Sequence, residues 1–228
     1  REKTFLSKNG FRVAPYAVFN DLNDVANLSK SLVFPGLLKV SRFGYDGKGQ
    51  LLIKDLTELI SGFKNLGRVP CVFEEFLSLT AEVSVIVARD ERGDTAVFPV
   101  SENRHRNGIL DITIAPARIP LSILSEAKQE ALALGDALRY KGILCVEFFV
   151  LDGGALVINE IAPRPHNSGH YTIDACSVSQ FEQQVRVTSG LPLINPRQHS
   201  SAVMVNLLGD SWDNGEPDWN SILKDDRI

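Results

Sequence analysis

Two glutamates stand where β-strands would ordinarily take hydrophobes. Glu147 lies in the apolar run 144–151, Glu160 lies in the run 155–161, and Asp152-Gly153-Gly154 joins the two. Glycine-rich punctuation between such runs predicts a β-hairpin. The register then decides the chemistry. With Gly153-Gly154 as the loop, Glu147 falls directly opposite Glu160. With Asp152-Gly153, Glu147 faces Ile158 and Glu160 sits one diagonal away; a three-residue loop sets Asn159 opposite Glu147. Carboxylates roughly 4 Å apart repel by about 4 kcal/mol at an effective dielectric of about 20, and like charges facing one another weaken a sheet. Either a hard cation is held between them, with Asn159 nearby, or one Glu is solvated at a strand end and the other pairs with Arg164.

The residues after Glu160 are rich in donors. Pro163 and Pro165 stiffen the segment 162–170 and stop it continuing a ladder. Arg164 offers a planar fork for phosphate or carboxylate, and His166, Asn167 and Ser168 add short polar groups in succession. Such a loop on a rigid strand end reads as a binding loop. His166 and His170 have HxxxH spacing, but no third ligand accompanies them, which argues against zinc.

Upstream, Lys39 lies in a strand with Leu37, Leu38 and Val40, where a lysine needs an anionic partner. The stretch Gly44–Gln50 follows, with glycines at 44, 47 and 49. Glycines let backbone N–H groups turn inward and cradle phosphate; a plain hairpin turn is the alternative. It is neither a GxxxxGK[ST] loop, which would need Gly in place of Arg42 and a hydroxyl in place of Gly49, nor a GxGxxG fingerprint. Lys39 and Lys48 could reach one polyphosphate. His105 lies in the polar stretch 101–108, which reads as a loop with a solvated imidazole.

The elements that must position these groups are strands in mostly antiparallel pairs with helices between them, an α+β layered architecture. Expected helices include 1–9, 21–30, 55–65, 123–139 and one capped by Ser179 with Glu182; Asp55 with Glu58 forms a capping box. A lead-in helix (1–13), a small unit (14–75), a larger unit (76–205) and the start of a C-terminal region (206–228) would leave a cleft suited to a small molecule. The 228 residues, 44% hydrophobic and 23% charged, suffice for a core, and a net charge of −4 argues against a general nucleic-acid or membrane-surface partner. No apolar run is long enough for a membrane span. Cys71, Cys145 and Cys176 show no paired spacing and fit a reducing, cytoplasmic setting.

Taken together and in order, GYDGKGQ (44–50), ENRHRNGIL (102–110), NEIAPRPHNSGHYTIDAC (159–176), SQFEQ (179–183) and VMVNLLGD (203–210) make the chain resemble the ATP-grasp superfamily. Within it the likeness is to the branch of purine (IMP) biosynthesis that carboxylates an aminoimidazole ribonucleotide. The resemblance implies two α+β units holding ATP under a small lid, and a ligase that uses ATP, Mg2+ and bicarbonate. It implies that Lys39 and the loop Gly44, Tyr45, Asp46, Gly47, Lys48, Gly49 and Gln50 hold the phosphates. Glu74, Glu75, Phe76 and Leu77 would form the hinge against adenine, Glu82 would take the ribose, and His105 would approach the nucleotide. Glu147 and Glu160 would carry magnesium, with Asn159 beside them. Tyr45, Asp46, Lys48 and Arg164 would act on bicarbonate, and Asp46, Lys48, Arg164, His166, Asn167 and Ser168 would contact aminoimidazole ribonucleotide. Biotin carboxylase-like or formate-using relatives would lack the His166-Asn167-Ser168 loop, and a nucleotide-binding module without turnover is a further alternative. Family members carry a domain before the equivalent of Arg1 and more sheet after that of Asp210, and form a homodimer as the full-length enzyme. The chain is therefore expected to be the core of a longer enzyme, inactive alone.

Overall fold

The computed structural model describes residues 2–28, 31–42, 44, 49–213 and 215–225. After helix α1 (Glu2–Lys8) the chain builds a small unit from β1 (Tyr16–Phe19), α2 (Leu22–Leu28), β2 (Gly36–Val40), β3 (Gln50–Ile53), α3 (Leu56–Asn65) and β4 (Cys71–Glu75). Its four strands pair antiparallel in the order β1-β4-β2-β3. Alternation sends Phe19, Leu38, Ile53, Cys71 and Phe73 inward, against Val25 of α2 and Leu59 and Phe63 of α3. Asp55 starts α3 by accepting the Glu58 N–H at 2.8 Å, and the Glu58 carboxylate accepts the N–H of Lys54 at 2.8 Å. The uncovered face of this sheet carries Lys39 and Glu74.

The larger unit comprises β5 (Leu79–Arg89), β6 (Thr95–Val97), β7 (Ser101–Arg106), β8 (Ile109–Ala115), α4 (Leu121–Ala137), β9 (Gly142–Leu151), β10 (Leu156–Ala162), α5 (Thr172–Ala175), α6 (Gln180–Thr188) and β11 (Ala202–Val205). The strands run β10-β9-β5-β7-β8-β11, with β6 beside β5, and every pairing between them is antiparallel. One face presents Val83, Val85, Val87, Val146 and Phe148 to Ala127, Ala131 and Leu134 of α4 and to Leu6 of α1. The opposite face carries Ile86, Ala88, Ile143 and Cys145 against α5 and Val178. Moving along that second face, the apolar residues give way to Ser84 and Glu147, and there the site begins.

One expectation is corrected. The polar stretch 101–108 contains a strand, β7, and not a loop; its inward groups serve a polar sheet face, so no apolar alternation marks it. The segment 1–13, expected as a lead-in helix, holds α1 and packs into the larger unit. Leu6 is fully buried in the larger unit's core, and the Arg12 carbonyl accepts the Ile158 N–H at 2.8 Å. The three cysteines are free and buried, and no described helix is long and apolar enough to cross a membrane.

Gly36 is required for space. A Cβ there would come within 2.1 Å of Phe73 Cζ, inside the small unit's packed core. Gly36→Ala should cost about 1–3 kcal/mol through overpacking, read as a lower urea midpoint with an unchanged slope.

Candidate active site

The β9–β10 hairpin reaches its register by two opposing steps. The loop is Asp152-Gly153-Gly154, closed by Leu151 N–H to Ala155 O at 2.9 Å, with Gly153 and Gly154 at φ 82 and 85°. A loop of that length alone would place Asn159 opposite Glu147. The register shifts between Ile158 and Glu160, however, so Asn159 is the extra residue of a β-bulge and Glu160 pairs with Glu147. The facing carboxylates expected of a two-residue loop are thus present, by a different route.

The same bulge leaves the Asn159 carbonyl pointing at Lys3, whose Nζ donates to it at 2.5 Å. Asn159 Oδ1 is buried without a hydrogen-bond partner. Two carboxylates and an unanswered amide oxygen form an all-oxygen donor set, the chemistry a hard divalent cation takes. Among the described residues no cluster of three His, Cys, Asp or Glu could hold a metal. Mg2+ is commonly bound through one or two carboxylates plus substrate phosphates, and oxygen ligands of this kind are compatible with it.

Glu147 is pushed up to about 7, first by burial and then by the charge of Glu160. His166 Nε2 lies 3.3 Å from its Oε1. Burial, reinforced by the charges of Arg164, His105 and His170, holds His166 down to about 4, so the imidazole is neutral at neutral pH. His105, expected to be solvated on its residue type alone, is mostly buried beside Glu82, with Nδ1 2.6 Å from Oε2. The approach is off the line of a proper hydrogen bond, and Nδ1 is otherwise unpartnered. Burial depresses this imidazole, but Glu82, together with Glu147 and Glu160, outweighs it and the pKa is raised.

From the small sheet, Lys39 Nζ reaches Glu74 Oε2 at 3.2 Å, and Lys3 Nζ reaches the same oxygen at 3.4 Å. Lys3 was not anticipated, although its i, i+3 spacing with Leu6 on one helix face was a usable signal. Burial lowers its pKa against the opposing pull of Glu74. Its neighbour Glu2 accepts the Ile161 N–H at 3.2 Å, and burial raises the Glu2 pKa. Glu2 and Lys3 therefore attach α1 to β10, and Lys3 also to β4.

The other predicted residues are placed unevenly. Glu74 is buried, with its carboxylate on Lys3 and Lys39. The N–H groups of Glu75 and Phe76 donate to Pro15 O and Pro35 O at 2.9 and 3.0 Å. Gly49, at φ 76°, passes its carbonyl to Val40 N–H at 2.9 Å, and Gln50 pairs with Lys39. Gly44 is exposed, whereas Tyr45, Asp46, Gly47 and Lys48 lie outside the described residues. Arg164 is exposed, its guanidinium donating to Pro165 O at 3.0 Å, and Asn167 is half-buried. Ser168 departs from expectation: it is fully buried and its hydroxyl is engaged by His166 and Ser84, so it supports the loop from beneath.

A small sheet bearing Lys39, joined through Lys3 of α1 to a larger sheet bearing paired glutamates, is an arrangement suited to a nucleotide polyphosphate. The ATP-grasp domain model matches residues 4–181, and the chain belongs to the ATP-grasp family. Within that family it is similar to the N5-carboxyaminoimidazole ribonucleotide synthase of Brucella melitensis, 44% identical over 211 residues that cover 92% of this chain and 58% of that protein. The Bacillus subtilis synthase is 43% identical over 209 residues, covering 92% and 55%. The Staphylococcus aureus N5-carboxyaminoimidazole synthetase complexed with ADP superposes with a TM-score of 0.89 at 39% identity, covering 98% of this chain and 59% of the other. An Aspergillus clavatus synthase in complex with ADP and 5-aminoimidazole ribonucleotide gives 0.83 at 27% identity, covering 91% and 55%. The chain thus spans a little over half the length of these relatives.

Because the folded-state pKa of Glu147 lies above the ordinary carboxylate value of 4.5, the folded chain holds this proton more tightly than the unfolded one. The associated stability is complete below about pH 4.5 and is lost as pH rises through about 7, a change on the order of 3 kcal/mol. Glu147→Gln cannot ionise. In chelator-treated protein it should melt higher than wild type near pH 8 and differ little near pH 4.5; thermal melts at both values check this.

Proposed function

We propose that this chain is the ATP-holding core of an enzyme that carboxylates 5-aminoimidazole ribonucleotide to N5-carboxyaminoimidazole ribonucleotide, using ATP and bicarbonate in cytoplasmic purine biosynthesis. The observation that carries the reading is the Glu147–Glu160 pair with the orphaned Asn159 Oδ1, joined to Lys39 of the second sheet through Glu74 and Lys3. The similarity to synthases whose structures hold ADP and the aminoimidazole ribonucleotide supports the choice of substrate.

In this reading a bicarbonate oxygen attacks the γ-phosphorus, ADP leaves, and the resulting carboxyphosphate gives up CO2 and phosphate. The substrate amine then attacks CO2 and loses a proton. Lys39 spreads positive charge over the transferring phosphoryl group, where such stabilisation counts most. It is free to turn toward phosphate because Glu74 retains Lys3 as a partner. Magnesium on Glu147, Glu160 and Asn159 Oδ1 would neutralise phosphate charge. Glu82, beside His105, accepts ribose hydroxyls, and Leu77 with the hinge carbonyls meets adenine. Tyr45, Asp46, Lys48 and Arg164 are assigned to bicarbonate; Arg164, His166 and Asn167 are assigned to the imidazole ribonucleotide. A water-poor site is needed because carboxyphosphate hydrolyses.

Coupled ADP-release assays on the full-length protein containing this core test the reading. ADP release that requires both bicarbonate and aminoimidazole ribonucleotide is the expected result, and release that requires a different acceptor would overturn it. Lys39→Met should weaken ATP binding by about tenfold to a hundredfold, the equivalent of one charge-assisted hydrogen bond of about 1.5–3 kcal/mol. Titration calorimetry measures it, and the melting temperature without nucleotide should barely move.

A further inference from the structure

A row of polar side chains crosses the site face of the larger sheet, and none of its members beyond Ser168 figures in the chemistry above. Ser84 of β5 pairs in register with Glu147 of β9 on one side and with Ser101 of β7 on the other; Asn103 of β7 pairs with Thr113 of β8. Ser84, Ser101, Asn103, Thr113 and Ser168 are all at most 4% exposed, so each hydroxyl and amide must find its partner inside the protein.

The bonds define a direction. His166 Nδ1 accepts the backbone N–H of Ser168 at 3.3 Å, and a backbone N–H can only donate, so Nδ1 carries no proton. The proton of the neutral ring is therefore on Nε2, facing Glu147 Oε1. The Ser168 hydroxyl, 2.9 Å from Nδ1, must then donate to it. Ser168 Oγ in turn accepts from the Ser84 hydroxyl at 2.7 Å, and Ser84 Oγ accepts from the Asn103 amide at 3.0 Å. Asn103 Oδ1 accepts from Thr113 at 3.1 Å, and Ser101 supplies Ser84 with a further contact at 2.9 Å. Every donor from Thr113 onward points toward Glu147.

We infer that Ser84, Asn103 and Thr113, acting through Ser168, are positioning residues that lock His166 as its Nε2–H tautomer and thereby orient the Glu147 carboxylate for a cation. This rests on the site reading above. It assigns one Glu147 oxygen to the imidazole and leaves the other to the metal. Partners behind a metal ligand typically change metal affinity by about 10–100-fold when removed, although Thr113 lies four hydrogen bonds and the 3.3 Å His166–Glu147 contact away from the carboxylate.

The test has two readouts. Nitrogen-15 NMR of the labelled imidazoles should show His166 protonated at Nε2 in wild-type protein without any metal, and a mixture of tautomers in Ser84→Ala. Titration of Mn2+·ATP, followed by electron paramagnetic resonance, should show roughly 10–100-fold weaker cation binding in Ser84→Ala. Should Ser84→Ala fold poorly, Thr113→Val, which keeps the shape and removes the first donor, should shift both readouts the same way by a smaller factor. A wild-type His166 protonated at Nδ1, or variants that fold and leave tautomer and cation affinity unchanged, would overturn the inference. Failure of wild-type protein to bind Mn2+·ATP would instead overturn the site reading and the metal half of this one; the tautomer result decides the relay in either event.

Discussion

Two glutamates paired across one hairpin, Glu147 buried and Glu160 open to solvent, are the constraint around which the rest is arranged. Unfolded, Glu147 and Glu160 would drift apart; folded, the hairpin forbids it. The bulge at Asn159 is what converts a register that would separate them into one that opposes them. The surroundings answer the resulting field with groups that donate without adding a buried full charge, a neutral His166 and the ordered hydroxyls behind it. The proton that Glu147 keeps up to about pH 7 indicates that this answer is incomplete in the protein alone. In the proposed function a cation would supply what is missing, so the same geometry that is unfavourable in the empty protein would be the one that binds.

The second sheet depends on the first through α1. Leu6 inserts into the larger core, while Lys3 extends across to Glu74 on β4 and to the Asn159 carbonyl on β10. A buried ion pair rarely adds much net stability, since desolvation offsets its attraction. What it does supply here is orientation: breaking it would strand a charge between two sheets, so their mutual placement is confined to arrangements that keep it.

The α+β class, the hairpin and the two glutamates were legible because glycine punctuation and apolar periodicity are strong local signals. Helix starts at Asp55 and Ser179 were legible for the same reason, each side chain accepting an N–H three residues on. The register was not legible, because a bulge has no reliable sequence mark and Asn159 between Ile158 and Glu160 reads like any strand residue. Strand β7 was hidden because SENRHR is polar on the face that serves the site, and that is the face alternation would have shown as apolar. Ser168 looked like a ligand group on chemistry alone; only the fold reveals Ser84 beneath it. Tyr45, Asp46, Gly47 and Lys48 remain sequence-based assignments, outside the described residues.

Glu74 has a mechanical meaning as well as an electrostatic one. It is the penultimate residue of β4, one of the small sheet's two inner strands, just before the chain crosses toward β5, and one of its oxygens answers two lysines from different parts of the molecule. Through that oxygen the small sheet and α1 share one polar junction, and Lys3 extends it to the Asn159 carbonyl on β10, so a change at any of the three places is felt at the other two.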